Sequence, residues 1–72
     1  MKTEKQIKID GKAIISFIQA FLEEHGSPPT FREIMLSTGI KSTSHMQYKI
    51  NALQDIGVLT YQPRKPRSIK LL

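Results

Sequence analysis

Polar side chains with amide and hydroxyl groups recur at helical spacing between residues 44 and 51. They are separated by three or four residues, the spacing of neighbours on one face of a helix: Ser44, Gln47, Tyr48 and Asn51. The carboxamides of Gln47 and Asn51 match the acceptor and donor, N7 and N6, that adenine presents in the major groove. Tyr48 could contact a sugar, a thymine methyl or a phosphate, and packing against a later hairpin is the alternative. The pattern favours base recognition, while an ordinary polar helix surface is the simpler interpretation.

Histidines and carboxylates do not assemble into a catalytic or metal site in this sequence. His45 flanks the polar face, where its imidazole would bind a base or a phosphate or simply face solvent. Consecutive helical residues point in different directions, so Glu23, Glu24 and His25 do not converge on one metal ion. The sequence contains no cysteine, no nucleophile–base pair and no glycine-rich phosphate loop. We therefore expect no enzyme activity, no cofactor and no metal.

Two short helices joined by a tight turn are predicted to position the polar face. Thr30-Phe31-Arg32-Glu33 is a capping box that begins the first helix, and Gly39 ends it, since glycine readily adopts the positive φ that the turn needs. The second helix is capped by Ser42 and runs to about Ile56. Its apolar residues share the opposite face: Met46, Ile50 and Leu53. This pattern is typical of a helix-turn-helix, whose second helix enters the major groove.

A further helix is predicted ahead of this pair, over residues 11–25. Its apolar residues recur with the helical period, and Asp10 is a good N-cap. Ile9 and Ile14 occupy the two positions of a hydrophobic staple. Residues 1–9 are lysine-rich and are interpreted as a flexible basic tail, with a minor-groove arm as the alternative.

A β-hairpin is predicted after the helices, from the strand-like residues 58–62 and 67–72. Between the strands lies P-R-K-P, whose prolines keep the tip out of a regular ladder and leave Arg64 and Lys65 exposed. A hairpin with a basic tip after a recognition helix is a wing. The predicted fold over residues 10–72 is therefore mainly α with a small β-hairpin, a winged helix-turn-helix.

Positive charge is concentrated in the second half of the chain. The net charge is +5, yet residues 1–39 carry equal numbers of basic and acidic side chains. Residues 40–72 carry one acid, Asp55, and these basic side chains: Lys41, Lys49, Arg64, Lys65, Arg67 and Lys70. Such asymmetry favours a polyanionic partner, although scattered lysines also serve solubility.

The composition also bears on location. A chain without cysteine fits a reducing cytoplasm. The N-terminal lysines are not followed by an apolar run, and no stretch approaches the ~20 apolar residues that span a bilayer. We expect a cytoplasmic protein with no membrane partner.

Four segments of the chain resemble the N-terminal DNA-binding domain of the LexA repressor family. They read G-S-P-P-T-F-R-E-I, S-T-G-I-K-S, L-Q-D-I-G-V-L and R-S-I-K-L-L, and they keep the family's order and spacing over residues 10–72. The P-P-T-x-x-E-I part is the most specific. The resemblance implies a winged helix-turn-helix that represses transcription by binding operators.

The resemblance also implies roles for individual positions. The DNA-facing residues of the recognition helix would be Ser42, Ser44, His45, Gln47 and Tyr48, and the wing would contribute Arg64 and Lys65. Asn51 joins them on the amide argument above. Phosphates are expected to bind Lys41, the wing cations and the backbone at the N-termini of the second and third helices. Asp55 and Ile56 stand where the family often has basic residues, and the helix side chains differ from those of the well-known bacterial repressor, so its operator does not carry over.

Double-stranded DNA is the expected partner. The apolar residues of the three helices are predicted to be used up by one small core, so no spare apolar patch is expected. We therefore predict a monomer when free and two copies on a palindromic operator, as the resemblance implies. The alternative is a winged-helix module that binds proteins without sequence-specific DNA binding. RNA is disfavoured, because the A-form major groove is too narrow for a helix.

Overall fold

Three helices precede a two-stranded hairpin in the computed structural model, which describes residues 4–72 and, from Gly11 onward, their side chains. The elements are α1 (Glu4–His25), α2 (Phe31–Thr38), α3 (Thr43–Asp55), β1 (Leu59–Thr60) and β2 (Lys70–Leu71). The strands pair antiparallel, with Leu59 opposite Leu71 and Thr60 opposite Lys70. The order helix, helix, turn, helix, hairpin confirms the predicted winged helix-turn-helix.

The first helix begins at Glu4 and not at Gly11. Asp10 therefore lies inside α1, and the prediction that it is an N-cap was wrong. The predicted staple between Ile9 and Ile14 was wrong for the same reason, because no helix start lies between them. The residues from Glu4 onward include good helix formers, which extend the helix across the predicted boundary.

Gly11 lies inside α1 and faces Leu53 of α3. A Cβ atom at this position would lie 3.4 Å from Cδ2 of Leu53, an ordinary van der Waals contact, so the packing of α1 on α3 does not require a glycine here. Of the flexible tail predicted over residues 1–9, residues 1–3 lie outside the described residues, and 4–9 belong to α1. The flexibility of this segment stays a prediction.

Both predicted N-caps of the helix-turn-helix are present. Thr30 Oγ1 accepts a hydrogen bond from Glu33 N at 3.2 Å, and Glu33 Oε1 accepts one from Thr30 N at 2.7 Å. Gly39 follows α2 with φ +79°, the left-handed conformation that lets the chain turn. Ser42 Oγ then accepts from His45 N at 3.3 Å and starts α3. The direction of α3 is thus set by short-range contacts in the turn.

An aliphatic core holds the helices and the hairpin together. α1 packs on both α2 and α3, and α3 packs on β1. The buried side chains come from all three helices, the turn and the hairpin: Ile14, Ile18, Ile34, Ile40, Met46, Ile50, Leu59 and Ile69. Burying one such side chain stabilises the fold by about 1.5–3 kcal/mol. Met46 and Ile50 anchor α3 as predicted, and its opposite face is left to solvent.

The core does not use all the apolar side chains. Leu36, Ile56 and Leu72 are largely exposed. A groove of about 550 Å³ lies between α1 and α3, with Ile15 and Val58 among its lining residues. The expectation that no spare apolar patch remains was therefore wrong, because a domain of this size has too little interior to enclose every apolar side chain.

The strands of the wing are shorter than predicted. β1 and β2 contain two residues each, whereas strands over 58–62 and 67–72 were expected. Arg64 and Arg67 adopt φ +65° and +55°, outside the range of a strand. The two prolines of the loop also lack the N–H groups that a ladder requires. The wing is consequently a long loop on a short hairpin.

Side-chain hydrogen bonds close the wing loop in place of a ladder. Ser68 Oγ accepts from Gln62 N at 2.9 Å and donates to Gln62 O at 3.0 Å. Lys65 N donates to the same carbonyl oxygen at 3.2 Å. These bonds give the tip a defined shape, with Arg64 and Lys65 exposed on it.

Candidate nucleic-acid interface

The exposed face of α3 carries the side chains predicted to meet bases. Ser44, Tyr48 and Asn51 are exposed, and Gln47 is half-buried because it turns toward the wing. Tyr48 exposes 58% of its surface. That exposure favours contact with a partner over packing against the hairpin, which was the alternative for this residue.

Ser42 and His45 lie at the first turn of α3. Ser42 Oγ accepts one hydrogen bond as the cap of α3, which leaves its hydroxyl hydrogen and one lone pair for a partner. The His45 side chain is half-buried and lies about 100° around the helix from Ser44, on the flank of the exposed face. No acidic residue occupies the first turn of α3, so its N-terminal N–H groups keep their attraction for an anion.

Three side chains form a closed hydrogen-bonded triangle between α3 and the wing. Gln47 Nε2 donates to Asn51 Oδ1 at 3.0 Å and to the hydroxyl oxygen of Tyr61. The Tyr61 hydroxyl donates to Asn51 Oδ1 at 3.0 Å. The structure thus brings together the two amides that the sequence singled out, and it adds Tyr61, which sequence reasoning missed.

Tyr61 is held in place from two sides. Its ring packs at a tilt against Phe31, with the ring centroids 5.2 Å apart. Gln54 Oε1 accepts from Tyr61 N and from Thr60 Oγ1, each at 3.4 Å. A signal for this position was available, because strand alternation places residue 61 on the same side as the buried Leu59.

All three of the predicted phosphate-binding cations are exposed. Lys41 lies in the turn before α3, and Arg64 and Lys65 lie at the tip of the wing. Lys49 is only 2% exposed and lies beside α1 residues in the groove between α1 and α3, so its side chain is not available to DNA. Arg67 is engaged in an ion pair within the domain. The charge excess of residues 40–72 therefore overstates the charge available for binding.

The start of α2 is occupied by a carboxylate of the protein itself. Arg67 Nη1 and Nη2 donate to Glu33 Oε1 and Oε2 at 2.9 and 3.2 Å, and Nη1 also donates to Pro28 O at 3.2 Å. The backbone N–H of Thr30, and then the Arg67 guanidinium, lower the pKa of the Glu33 carboxyl below its ordinary value. Phosphate binding by the backbone at the N-terminus of α2 stays a prediction, and the Glu33 carboxylate already occupies the N–H of Thr30 there.

A groove of about 750 Å³ runs between the start of α2 and the wing. Gln47 and Tyr61 line it, as do the wing cations Arg64 and Lys65. Arg32, the second residue of α2, also lines it and is exposed. Sequence reasoning missed Arg32, because the equal numbers of acids and bases in residues 1–39 concealed an individual outward-facing cation.

Other classes of site find no support among the described residues. No group of three His, Cys, Asp or Glu side chains in residues 11–72 could hold a metal ion. Within the part of the chain that the structure describes, none of the helices has the length and apolar character needed to cross a membrane.

The fold and this surface define a winged helix-turn-helix DNA-binding domain. Residues 3–68 match the family model described as the LexA DNA binding domain. The chain therefore belongs to the LexA DNA-binding domain family, which confirms the resemblance seen in its four segments. A domain of this family binds DNA and is not itself catalytic.

Several LexA repressors are similar to the chain. That of Carboxydothermus hydrogenoformans is 43% identical over 61 residues, which cover 85% of this chain and 30% of that protein. That of a Roseiflexus species is 37% identical over 71 residues, covering 99% and 33%. That of Clostridioides difficile is 37% identical over 70 residues, covering 97% and 31%. The chain thus spans about a third of the length of these curated relatives.

Proposed function

We propose that the chain is the operator-binding module of a transcriptional repressor, with α3 reading base edges in the major groove of double-stranded DNA. One observation carries this proposal: the exposed polar face of α3 is bordered by exposed cations, Lys41 before the helix and Arg64 and Lys65 on the wing. A major groove admits an α-helix, so bases would meet the polar face while phosphates meet its borders. The names of the relatives support repression, and none supports a protein-interaction module.

The contacts divide into two groups. The first group, on α3, would contact base edges: Ser44, Gln47, Tyr48 and Asn51, with His45 at the flank. Phosphates would be held by side chains around them: Arg32, Lys41, Ser42, Arg64 and Lys65. Because these groups border the polar face, they would fix its register on the duplex without reading sequence. The domain would act on chromosomal DNA, in the cytoplasm.

Salt dependence tests the electrostatic part of this proposal. If about four phosphates are neutralised, the logarithm of the binding constant should fall against the logarithm of salt concentration with a slope of roughly −3.6. Fluorescence anisotropy with a labelled duplex measures the slope, and an RNA duplex of matched sequence serves as competitor. A flat response to salt, or equal competition by RNA, would contradict the proposal.

Two variants separate base reading from phosphate binding, once selection from random DNA has provided a preferred site. Gln47→Ala should lose about 1–3 kcal/mol on that site and relax the preference at one or two base pairs. Arg64→Ala combined with Lys65→Ala should weaken all sequences evenly and reduce the salt slope by up to about 2. An unchanged preference in Gln47→Ala would mean that α3 is docked differently.

We further propose that two copies bind a palindromic operator, each reading one half-site. A single recognition helix covers only a few base pairs, so one copy alone should bind weakly. Dimeric helix-turn-helix proteins place their half-sites a helical turn apart or at multiples of it, and the same geometry is expected here.

A further inference from the structure

We propose that Tyr61 determines base specificity by engaging one polar group of each amide, Gln47 and Asn51. One amide then presents only an acceptor to DNA and the other only a donor, whereas a free amide would present both. This inference rests on the proposed function, in which these amides meet base edges. It concerns a residue outside the recognition helix, in the hairpin that follows it.

The hydrogen-bond inventory of the triangle is the first step. A carboxamide has two N–H protons and an oxygen that accepts two hydrogen bonds. Both protons of Gln47 Nε2 are used, one by Asn51 Oδ1 and one by the Tyr61 oxygen. Asn51 Oδ1 accepts from both Gln47 and Tyr61, so its acceptor capacity is filled. Within the described residues, Gln47 Oε1 and Asn51 Nδ2 are the amide groups left for a partner.

The complementarity of the two amides does not depend on the sense of the triangle. If both amides and the hydroxyl reversed together, Asn51 would donate twice and Gln47 would accept twice. The triangle would stay closed, and the two amides would exchange roles. Reversing one amide alone would set two donors or two acceptors against each other, which loses a hydrogen bond. One outward acceptor and one outward donor therefore result in either sense.

Bidentate recognition of adenine needs both groups of one amide, an acceptor for N6 and a donor for N7. Neither Gln47 nor Asn51 can supply both while the triangle is closed. The outward acceptor instead takes the amino group of adenine or cytosine, and the outward donor binds a base acceptor such as guanine O6 or thymine O4. The separate adenine contacts expected for Gln47 and Asn51 are replaced by a coupled and more permissive pair.

The triangle has the support to survive docking. The Tyr61 ring is packed on Phe31, and its backbone is tied to Gln54, so the hydroxyl is held against α3. Expulsion of water at an interface makes it costly to leave a polar group without a partner, by about 1–3 kcal/mol for each group. Opening the triangle on DNA would leave several such polar groups without their hydrogen-bond partners at the same time.

Tyr61→Phe tests the inference, because it removes the hydroxyl and keeps the ring packed on Phe31. It frees one proton of Gln47 Nε2 and one lone pair of Asn51, so bidentate pairing with adenine becomes available. In site selection from random DNA, the preference for adenine over cytosine at the contacted position should rise at least about fivefold. Thr60→Val is the matched control, since the hydroxyl that it removes contacts Gln54 and not the triangle. Its base preferences should equal those of the parent.

The outcomes separate this inference from the proposed function. A parent chain that selects a site, together with a Tyr61→Phe variant that selects the identical site or weakens all sites equally, overturns the role of Tyr61 and leaves DNA binding intact. A parent chain that selects no sequence overturns the proposed function and the inference together.

A measurement without DNA gives a second test on the folded chain. By NMR, the side-chain NH2 protons of one amide in the pair Gln47 and Asn51 should exchange slowly with water, while those of the other exchange fast. Tyr61→Phe should reduce this difference, because the bond from Gln47 Nε2 to Asn51 Oδ1 remains while the two bonds to the hydroxyl are lost. Backbone shifts would show that the fold is intact. Equal exchange for both amides in the parent would refute the closed triangle.

Discussion

Arg67 in the wing and Glu33 in the first turn of α2 form a two-pronged ion pair across 34 residues of sequence. The Glu33 carboxylate also closes the capping box with Thr30, so one side chain fixes both the start of α2 and the position of the wing. Arg67 further reaches Pro28 O at 3.2 Å and lies over the Phe21 ring at 5.7 Å. These contacts hold the wing cations at a defined place beside α3.

The wing pair predicts a difference between two basic residues. Arg67→Ala should weaken DNA binding by loosening the wing, yet leave the salt slope nearly unchanged, because Arg67 is engaged by Glu33 and not by phosphate. Lys65→Ala, the control at the exposed tip, should reduce the slope by about 1. Arg67→Lys should rescue binding only in part, since an ammonium cannot make the paired contacts of a guanidinium. Anisotropy titrations across a salt series measure all three, and equal slopes for Arg67→Ala and Lys65→Ala would show that Arg67 itself binds phosphate.

The same carboxylate predicts a dependence of stability on pH. The Thr30 N–H and the Arg67 guanidinium lower the pKa of Glu33 in the folded state, while an unfolded glutamate keeps the ordinary pKa of about 4.5. Ionised Glu33 therefore contributes stability above the unfolded pKa, and this contribution is lost as the pH falls through the folded pKa. The free energy of unfolding, measured by urea denaturation, should decrease from about pH 5 downward.

Glu33→Gln is the control for this pH dependence. Glutamine can also close a capping box, so the bond from Thr30 N is kept while the titrating charge is removed. The loss of stability on acidification should be smaller in Glu33→Gln than in the parent. The same acid profile in both proteins would assign the effect to other carboxylates.

The N-cap of α2 predicts that removing one hydroxyl, that of Thr30, destabilises the domain. Thr30→Ala removes the acceptor for Glu33 N and should lower the free energy of unfolding by about 1 kcal/mol. Thr43→Ala, at the exposed first residue of α3, is the control and should change it far less. Urea denaturation gives both values, and equal stability of Thr30→Ala and the parent would place the start of α2 elsewhere.

Features set by short-range contacts were predictable from the sequence. The capping box at Thr30, the positive φ at Gly39 and the cap at Ser42 each depend on residues within one turn. The start of α1 was not predictable, because Asp10 and Gly11 form a plausible cap locally, while the helix-forming residues before them favour a longer helix.

Features that depend on contacts between residues far apart in the sequence were not predicted. Tyr61 meets Gln47 across 14 residues, and Arg67 meets Glu33 across 34, so no local pattern joins them. Lys49 was counted among the available charges of residues 40–72, but it is buried. Its spacing of three residues from the buried Met46 places it at the edge of the core face of α3. The identity of the reading helix was therefore accessible from sequence, whereas the way its amides are held was not.

The final prediction concerns assembly on DNA. Stable dimers bury about 1,200–2,000 Å² in total. The exposed apolar side chains here are scattered, with Ile56 beside the groove and Leu36 and Leu72 elsewhere, so they do not form one continuous interface of that kind. We expect light scattering to find a monomer at micromolar concentration. The chain should bind a single half-site weakly.

Joining two copies by a linker should raise the affinity for a palindrome about 10²–10⁴-fold through effective concentration. The control is a duplex of the same length with one half-site scrambled, on which the joined copies should bind little better than one. A stable dimer in the absence of DNA would mean that the exposed apolar side chains form an interface. Tight binding of one copy to one half-site would mean that the wing and α3 supply enough contacts without a second copy.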